Sequence, residues 1–453
     1  LHNSSRPLTD GHFFESGFLF KLIVPLMLEQ LLNVTIGMAD TLMVTTVGEA
    51  AVSAISLVDS ITILIVTLFG AFATGGAVVS SQYLGRKDDE SANIAARQLL
   101  NLTVLVATFL LVLCMPFRRE IISTVFGKIE SRLLDYGSTY FLYILLSLPF
   151  LAAYNSGAAL FRSMGNSRIS LYVSVAMNIL NIGGNAFFIF VMKMEVAGAG
   201  LSTLISRIIG AILMLAFLRN PKNRITIHSY NIFNIKGWMV RKILLVGIPT
   251  GVEGSVFQVG KLLVQGFIAS FGTASLAANA IAGSVSSFIN IPGGAISMAS
   301  VTVIGQTIGA RRTDLSVYYA KRLLLFAYAA MFILAAPIFF LAPTIASFFN
   351  LGEEATKIAI ILFQSSMVAS ILFWPSAFVL PNFLRAAGDA KFTMIVSIIS
   401  MWAFRVGGSY ILAMNLGWGV YGVWIGMYMD WFARSIAFIR RFARGKWKHI
   451  QVI

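Results

Sequence analysis

The segment Pro25-Leu-Met-Leu-Glu29 returns 224 residues later as Pro249-Thr-Gly-Val-Glu253, and this echo decides the architecture of the chain. At the same shift, Gly48-Glu-Ala-Ala-Val-Ser-Ala54 falls on Gly272-Thr-Ala-Ser-Leu-Ala-Ala278, and Leu84-Gly85-Arg86 falls on Ile308-Gly309-Ala310. A shift of 223 brings Arg162, Gly165 and Arg168 onto Arg385, Gly388 and Lys391, so one residue is gained or lost between. The chain therefore consists of two related halves.

Around these anchors the sequence is a series of apolar runs of about 20 to 27 residues, and a helix crossing hydrocarbon needs about 20. The spans read 18–45, 52–81, 93–116, 136–160, 168–192, 197–218, 243–270, 277–307, 322–343, 356–382, 393–414 and 418–442. Of the 453 residues, 57% are apolar and 12% charged, against roughly 45–50% and 25% in soluble domains. That excludes a soluble protein. The short connections leave no room for a sizeable water-soluble domain, so function resides in the membrane.

The expected fold is an all-α integral membrane protein with two six-helix bundles. Residues 1–218 form an N-lobe, 219–242 a cytoplasmic linker containing Pro221, and 243–453 a C-lobe with a basic tail. Six is an even number, so the repeats run parallel and are related by an axis along the membrane normal, a known transporter design. A duplicated channel or flippase would share the pattern.

The net charge of +15 is compatible with nucleic acid, but its placement points elsewhere. Most of the 34 Lys and Arg fall at the N-terminus, in every second loop or at the C-terminus. Gly85-Arg86-Lys87, Arg162 to Arg168, Arg219 to Lys242 and Arg311-Arg312 are examples. The positive-inside rule then puts both termini in the cytoplasm of a plasma-membrane protein. Orientation and lipid contact account for the charge, so membrane lipids and no nucleic acid are the expected partners. Lys261 and Arg405 read as the cations inside spans. Residues 1–17 are polar and lead into a full-length apolar run, unlike a secretory signal, so the first helix is expected to stay.

One cysteine, Cys114, permits neither an internal disulfide nor a thiolate cluster. His2, His12, His228 and His449 lie in tails or the central loop, which argues against metal-dependent chemistry in the bilayer. Gly-Lys pairs at 127, 260 and 445 lack a following Ser or Thr, so there is no P-loop. Gly198-Ala-Gly200 has Thr203 where a dinucleotide fingerprint continues, and no strand precedes it. Uphill transport would then draw on an ion gradient, with no cofactor.

Polar groups inside apolar spans carry the functional signal, because each is costly unless satisfied or hydrated. Asp40 lies near the outer end of the first span. Ser170, Ser174, Asn178, Asn181 and Asn185 occupy one face of the fifth. By depth, Asp40, Asn181 and Asn185 can meet Thr203 of the sixth span. Carboxylate, amide and hydroxyl oxygens suit a small cation such as Na⁺, and a dry Asp40 would serve as a proton carrier. Interhelical hydrogen bonding is the structural alternative.

Glu29 lies eleven residues before Asp40, on nearly the same face and about 16 Å deeper. Pro25, one turn below it, is a hinge candidate. In the second half Glu253, Gln258, Lys261 and Gln265 form a possible secondary group, with Glu253 and Lys261 able to neutralise each other. Arg405 and Asp430 read as a buried ion pair. The 36 Phe and 18 Met can pack helices or line an adaptable cavity.

These features resemble the multidrug and toxic compound extrusion (MATE) transporters. The resemblance rests on Gly37-Met-Ala-Asp40-Thr, Leu84-Gly85-Arg86-Lys87, Arg162-Ser-Met-Gly165-Asn and Val196-Ala-Gly-Ala-Gly200, in that order over nearly the whole chain. It implies a V-shaped, monomeric antiporter that exports organic, often cationic or amphipathic, compounds in exchange for H⁺ or Na⁺. It maps the N-lobe cation site onto Asp40, Asn181, Asn185 and Thr203, with Asn178 beside it and the helix-one proline at Pro25.

The sequence departs from the family pattern in two places. Asn185 stands where that pattern has an aspartate, leaving one carboxylate in the mapped set. Glu253 sits about one turn before the family's alternative C-lobe carboxylate, and residues 357–388 contain no Asp or Glu. The implied mechanism is alternating access, in which a cation entering from outside neutralises Asp40, the first helix bends near Pro25 and the drug leaves. A flippase or exporter of a lipid-linked or polysaccharide precursor is the alternative, which Lys261 and Arg405 would suit. An intramembrane enzyme would need a nucleophile–base pair or metal cluster that the spans lack.

Overall fold

The computed structural model describes residues 13–127, 130–227, 234–349 and 351–453. His2, His12 and His228, like the polar N-terminal tail and part of the linker, lie outside the described residues. The described residues form helices and no strand. Helices α1 (Ser16–Thr45), α2 (Glu49–Gly85), α3 (Asp89–Cys114), α4 (Ser131–Ser163), α5 (Ser167–Asn185), α6 (Glu195–Leu218) and α7 (Gly237–Ala269) follow the first seven spans. Helix α5 continues to Val191 in π geometry. The short helix Arg118–Phe126, between α3 and α4, is an addition to the expected list.

The eighth span is two helices, α8 (Thr273–Ile289) and α9 (Ile291–Gly309), parted at Asn290. Pro292 near the start of α9 supplies the reason, since it has no N–H to continue the α8 ladder. Helix α10 (Thr313–Phe340) precedes the short helix Ala342–Ser347 and α11 (Glu353–Trp374), which runs through a π segment, Pro375–Val379, into Leu380–Ala386. Helix α12 (Ala390–Ser400) passes into two π segments, Met401–Gly408 and Tyr410–Asn415, and α13 (Gly419–Ala443) ends the bundle. Eleven helices among the described residues are long and apolar enough to cross a membrane. Helix α13 falls outside that count because Asp430 and Arg434 interrupt its apolar centre.

The duplication is visible in the backbone. Gly48 (φ 129°) before α2 and Gly272 (φ 90°) before α8 take the positive φ that glycine adopts without a Cβ clash. Lys87 (φ 63°) and Arg311 (φ 58°), also 224 positions apart, repeat the same left-handed turn.

The chain divides into two compact units, Leu28–Gly254 and Leu1–Met27 with Ser255–Ile453. In the first unit α4 is the central helix, packed on α2, α3 and α6. Phe69, Phe141, Ile144, Leu145 and Leu148 lie in its core. The linker is tied to α3: Gln98 Nε2 donates to the Asn234 carbonyl at 2.8 Å, and Gln98 Oε1 accepts from the Lys236 N–H at 2.8 Å. Asp88 caps α3 through the Ser91 N–H at 2.9 Å, and that bond holds its carboxyl below the usual carboxylate range.

The leading part of α7 also belongs to this unit and runs close to α2. A Cβ at Gly75 would stand 2.5 Å from the Ile243 carbonyl oxygen and 2.9 Å from the Gly247 nitrogen, both backbone atoms. Gly75→Ala should therefore destabilise the protein by about 1–3 kcal/mol. A lowered midpoint of thermal unfolding in detergent would show it. Gly266→Ala, with nothing within 4 Å of its Cβ, should leave the midpoint unlowered.

In the second unit the start of α1 contributes Leu19, Leu22 and Leu26 to a core with Tyr319, Leu323 and Phe383. The Tyr319 hydroxyl donates to the Phe14 carbonyl at 2.9 Å.

Candidate functional site

Asp40 sits near the end of α1, half-buried, facing the polar stripe of α5. Asn185 Nδ2 donates to its Oδ1 at 2.8 Å. The neighbours of Asn181 fix its amide orientation. With nitrogen towards Asp40, it donates to Oδ1 at 2.9 Å and Oδ2 at 3.1 Å, while its oxygen accepts from Thr203 Oγ1 at 3.3 Å. Asp40, Asn181, Asn185 and Thr203 thus form one cluster, contributed by α1, α5 and α6. Asn178 lies a turn away on the same stripe and donates to Ser174 Oγ at 3.4 Å.

The backbone explains why these side chains meet. Ser202 Oγ donates to the Asn181 carbonyl at 2.7 Å, which fastens α6 to α5 beside Thr203. Gly184 lets the same serine approach α5 closely. Directly after Asn185 the helix widens into π turns over Ala186–Val191, a device common near functional sites. Asn185 is 2% exposed and its Oδ1 has no hydrogen-bond partner among the described residues. It is an acceptor already desolvated and unengaged.

Three residues join this cluster that the sequence reading left out. Tyr140 of α4 is buried with its hydroxyl beside Thr203. Asp59 of α2 repels Asp40 electrostatically, and Arg207 of α6 attracts Asp59. Arg207 Nη1 also donates to Ser147 Oγ at 2.7 Å. Lys261 and Arg405 are therefore not the full set of cations inside spans, because Arg207 lies mid-way along the sixth. The signal was present: Asp59 and Arg207 are charges inside apolar runs, as Asp40 is. With two carboxylates against one guanidinium, the cluster favours a cation when its acids are ionised.

Glu29, 7% exposed, anchors the other end of the stripe. Its carboxylate accepts from Ser170 Oγ at 2.9 Å and lies 4.0 Å from Arg162. The stripe thus meets α1 at both ends, at Glu29 through Ser170 and at Asp40 through Asn181 and Asn185. Pro25 is buried inside an unbroken α1.

The secondary group divides between the units. Glu253, buried, belongs to Leu28–Gly254, whereas Gln258 and Lys261 belong to the unit that begins at Ser255. Lys261 feels Arg405, a like charge. Asp430 does neighbour Arg405, at 4.0 Å, but its close partner is Arg434, whose Nε donates at 2.7 Å.

Among the described residues no group of three or more His, Cys, Asp or Glu is placed to hold a metal ion. The family model described as MatE matches residues 25–187 and 249–411, two segments offset by the same 224 residues as the internal repeat. The chain is 30% identical over 444 residues to the uncharacterized transporter YisQ of Bacillus subtilis (strain 168), covering 95% of this chain and 94% of that protein. It is 24% identical over 458 residues to the probable multidrug resistance protein NorM of Thermotoga maritima, covering 96% and 94%. Its fold matches a crystal structure of MATE in the bent conformation with a TM-score of 0.87 at 19% identity, over 94% of each chain.

Proposed function

This chain belongs to the MatE family, and on that premise we propose that it is a proton-coupled antiporter exporting organic, mainly cationic or amphipathic compounds, with Asp40 as its coupling carboxylate. The family makes it a multi-pass membrane transporter and not an enzyme. Export of many drugs is what the names of relatives such as NorM suggest. The distribution of Lys and Arg supports cytoplasmic termini, and the plasma membrane is the location that goes with this reading.

The observation that carries the reading is the hydrogen bonding of Asp40. Its described partners are amide N–H groups of Asn181 and Asn185, which suit an ionised carboxylate. A sodium ion needs oxygens, and the Asn181 oxygen is turned to Thr203. A protonated Asp40 needs one acceptor for its O–H, and Asn185 Oδ1, on the amide already bonded to Asp40, has no hydrogen-bond partner among the described residues. Ionised Asp40 holds a cationic substrate by Coulomb attraction in a low dielectric. Protonation from outside removes the attraction and releases the substrate outward. Asp59 adds a second negative charge to the cluster and strengthens its attraction for a cationic substrate. Pro25 offers α1 a place to bend, having no N–H for the ladder.

The test is efflux of a fluorescent organic cation from proteoliposomes under an imposed pH gradient or an imposed Na⁺ gradient. Accumulation against the dye gradient is expected with the pH gradient alone. Accumulation driven by Na⁺ alone would replace the proton by sodium at this site. Equilibration without accumulation under either gradient would make the protein a passive pathway.

A further inference from the structure

The unit that begins at Ser255 has a charge imbalance of the opposite sign. Arg405, in the π segment after α12, is 8% exposed, and Arg434 of α13 is 2% exposed. Lys261 of α7 acts on Arg405. Against these three cations the described residues of this unit place only Asp430, and it is largely committed. Its Oδ1 accepts from Arg434 Nε at 2.7 Å and from Ser400 Oγ at 2.6 Å. Arg434 completes its bonding through Nη2, which donates to the Ser397 carbonyl at 3.1 Å. Arg405 is left with Asp430 Oδ2 at 4.0 Å, and its Nη1 has no hydrogen-bond partner among the described residues. The carboxylates Asp314, Glu353 and Asp389 pair with Arg312, Lys357 and Arg441 instead.

A buried guanidinium with an empty donor is costly unless something charged meets it. The surroundings say what would fit. The Arg405 and Arg434 guanidinium carbons lie 5.2 and 5.4 Å from the Phe257 ring centre. Arg434 also lies 5.4 Å from the Phe378 ring, which stacks on Trp374 at 5.1 Å. Phe257, Phe378 and Trp374 are half-buried, so each keeps a reachable surface. Lys261 is one helical turn beyond Phe257 and exposed. Helices α7 and α12 come close enough for this at Gly260, which packs on Met401.

We propose that Lys261 and Arg405 form a binding site for an organic anion, with the carboxylate or phosphate on the two cations and the apolar body against Phe257. The site lies wholly within residues 255–453 and does not depend on Asp40. It makes the transporter a binder of anionic amphipaths as well as cations. The anionic group belongs either to a soluble organic acid or to a lipid headgroup, and both present the same oxygens to a guanidinium.

The test is carboxyfluorescein binding to the full chain in neutral detergent, followed by fluorescence anisotropy. Saturable binding is expected for the wild type, weaker by at least about tenfold in Lys261→Gln, and weaker in 500 mM than in 50 mM salt. Lys357→Gln, which removes the same charge from an exposed surface pair, should bind as the wild type does. Lys261 is exposed, so its replacement tests the site without disturbing the core, and Arg405→Gln is the second variant. Repeating the titration in nanodiscs separates the sources. Competition by phosphatidylglycerol but not phosphatidylcholine assigns the site to a lipid headgroup, and dye binding that survives phosphatidylglycerol assigns it to a soluble acid. Absence of saturable binding to the wild type, or equal affinity in Lys261→Gln and Arg405→Gln, overturns the proposal.

Discussion

Asp40→Asn is expected to abolish uphill efflux while leaving the protein folded and monodisperse. Asparagine keeps the shape and can still bond Asn181 and Asn185, which now contact the carboxylate at 2.8 to 3.1 Å. What disappears is the charge. A unit charge pair about 4 Å apart is worth about 4 kcal/mol at an effective dielectric of 20. Losing a third of that weakens a cationic substrate about tenfold. The variant also has nothing to protonate, so coupling goes with affinity. The measurement is accumulation of a fluorescent organic cation in proteoliposomes under a pH gradient, beside the size-exclusion profile of the variant. Gradient-driven accumulation at the wild-type level would move the coupling role away from Asp40, and Asp59 would be the next residue to replace.

Asp430→Leu should be the most destabilising single change within α13. Asp430 is fully buried and takes bonds from Arg434 and Ser400, with Arg405 beyond. Deleting it strands two buried guanidinium groups, and breaking a buried pair from one side costs about 3–5 kcal/mol. Thermal unfolding in detergent should show a large drop in midpoint, or the protein should fail to reach a monodisperse state. Adding Arg434→Met removes the closer of the stranded cations and should restore part of the loss. An unchanged midpoint in the single variant would mean that the arginines find other compensation.

The parts of the fold that the sequence makes legible are those written in long apolar runs and repeated motifs. Gly48 and Gly272 mark the same turn in both halves, and the first seven helices follow their runs. The break at Asn290 does leave a trace, Asn290-Ile-Pro292-Gly-Gly294, but it lies between two apolar stretches that together have the length of one span, so it reads as a kink within a single helix. The π segments after Asn185 and around Arg405 leave no compositional trace at all, since they change the spacing of residues and not their type.

At the site, Asp40, Asn181, Asn185 and Thr203 are found by depth and helical face, two quantities that spacing supplies. Asp59 and Arg207 escape because they sit one to a helix, without a stripe to draw attention to them. The partner of Asp430 shows the opposite failure. Arg434 is four residues away on the same helix, the simplest spacing for an ion pair, while the reading looked across to Arg405.

The division of the chain at Met27 and Gly254 bears on how such a molecule can be assembled. Each compact unit takes its leading segment from the other half of the sequence: residues up to Met27 belong with the second repeat, and residues 237–254 with the first. A fragment ending in the linker would leave Phe72 and Gly75 of α2 without Gly247 beside them. Its complement would leave Tyr319 and Leu323 without Phe14 and Leu19. Neither repeat is complete alone. A repeat expressed by itself would regain this packing only by taking the leading part of its first long helix from a second molecule, an encounter that the single polypeptide makes intramolecular.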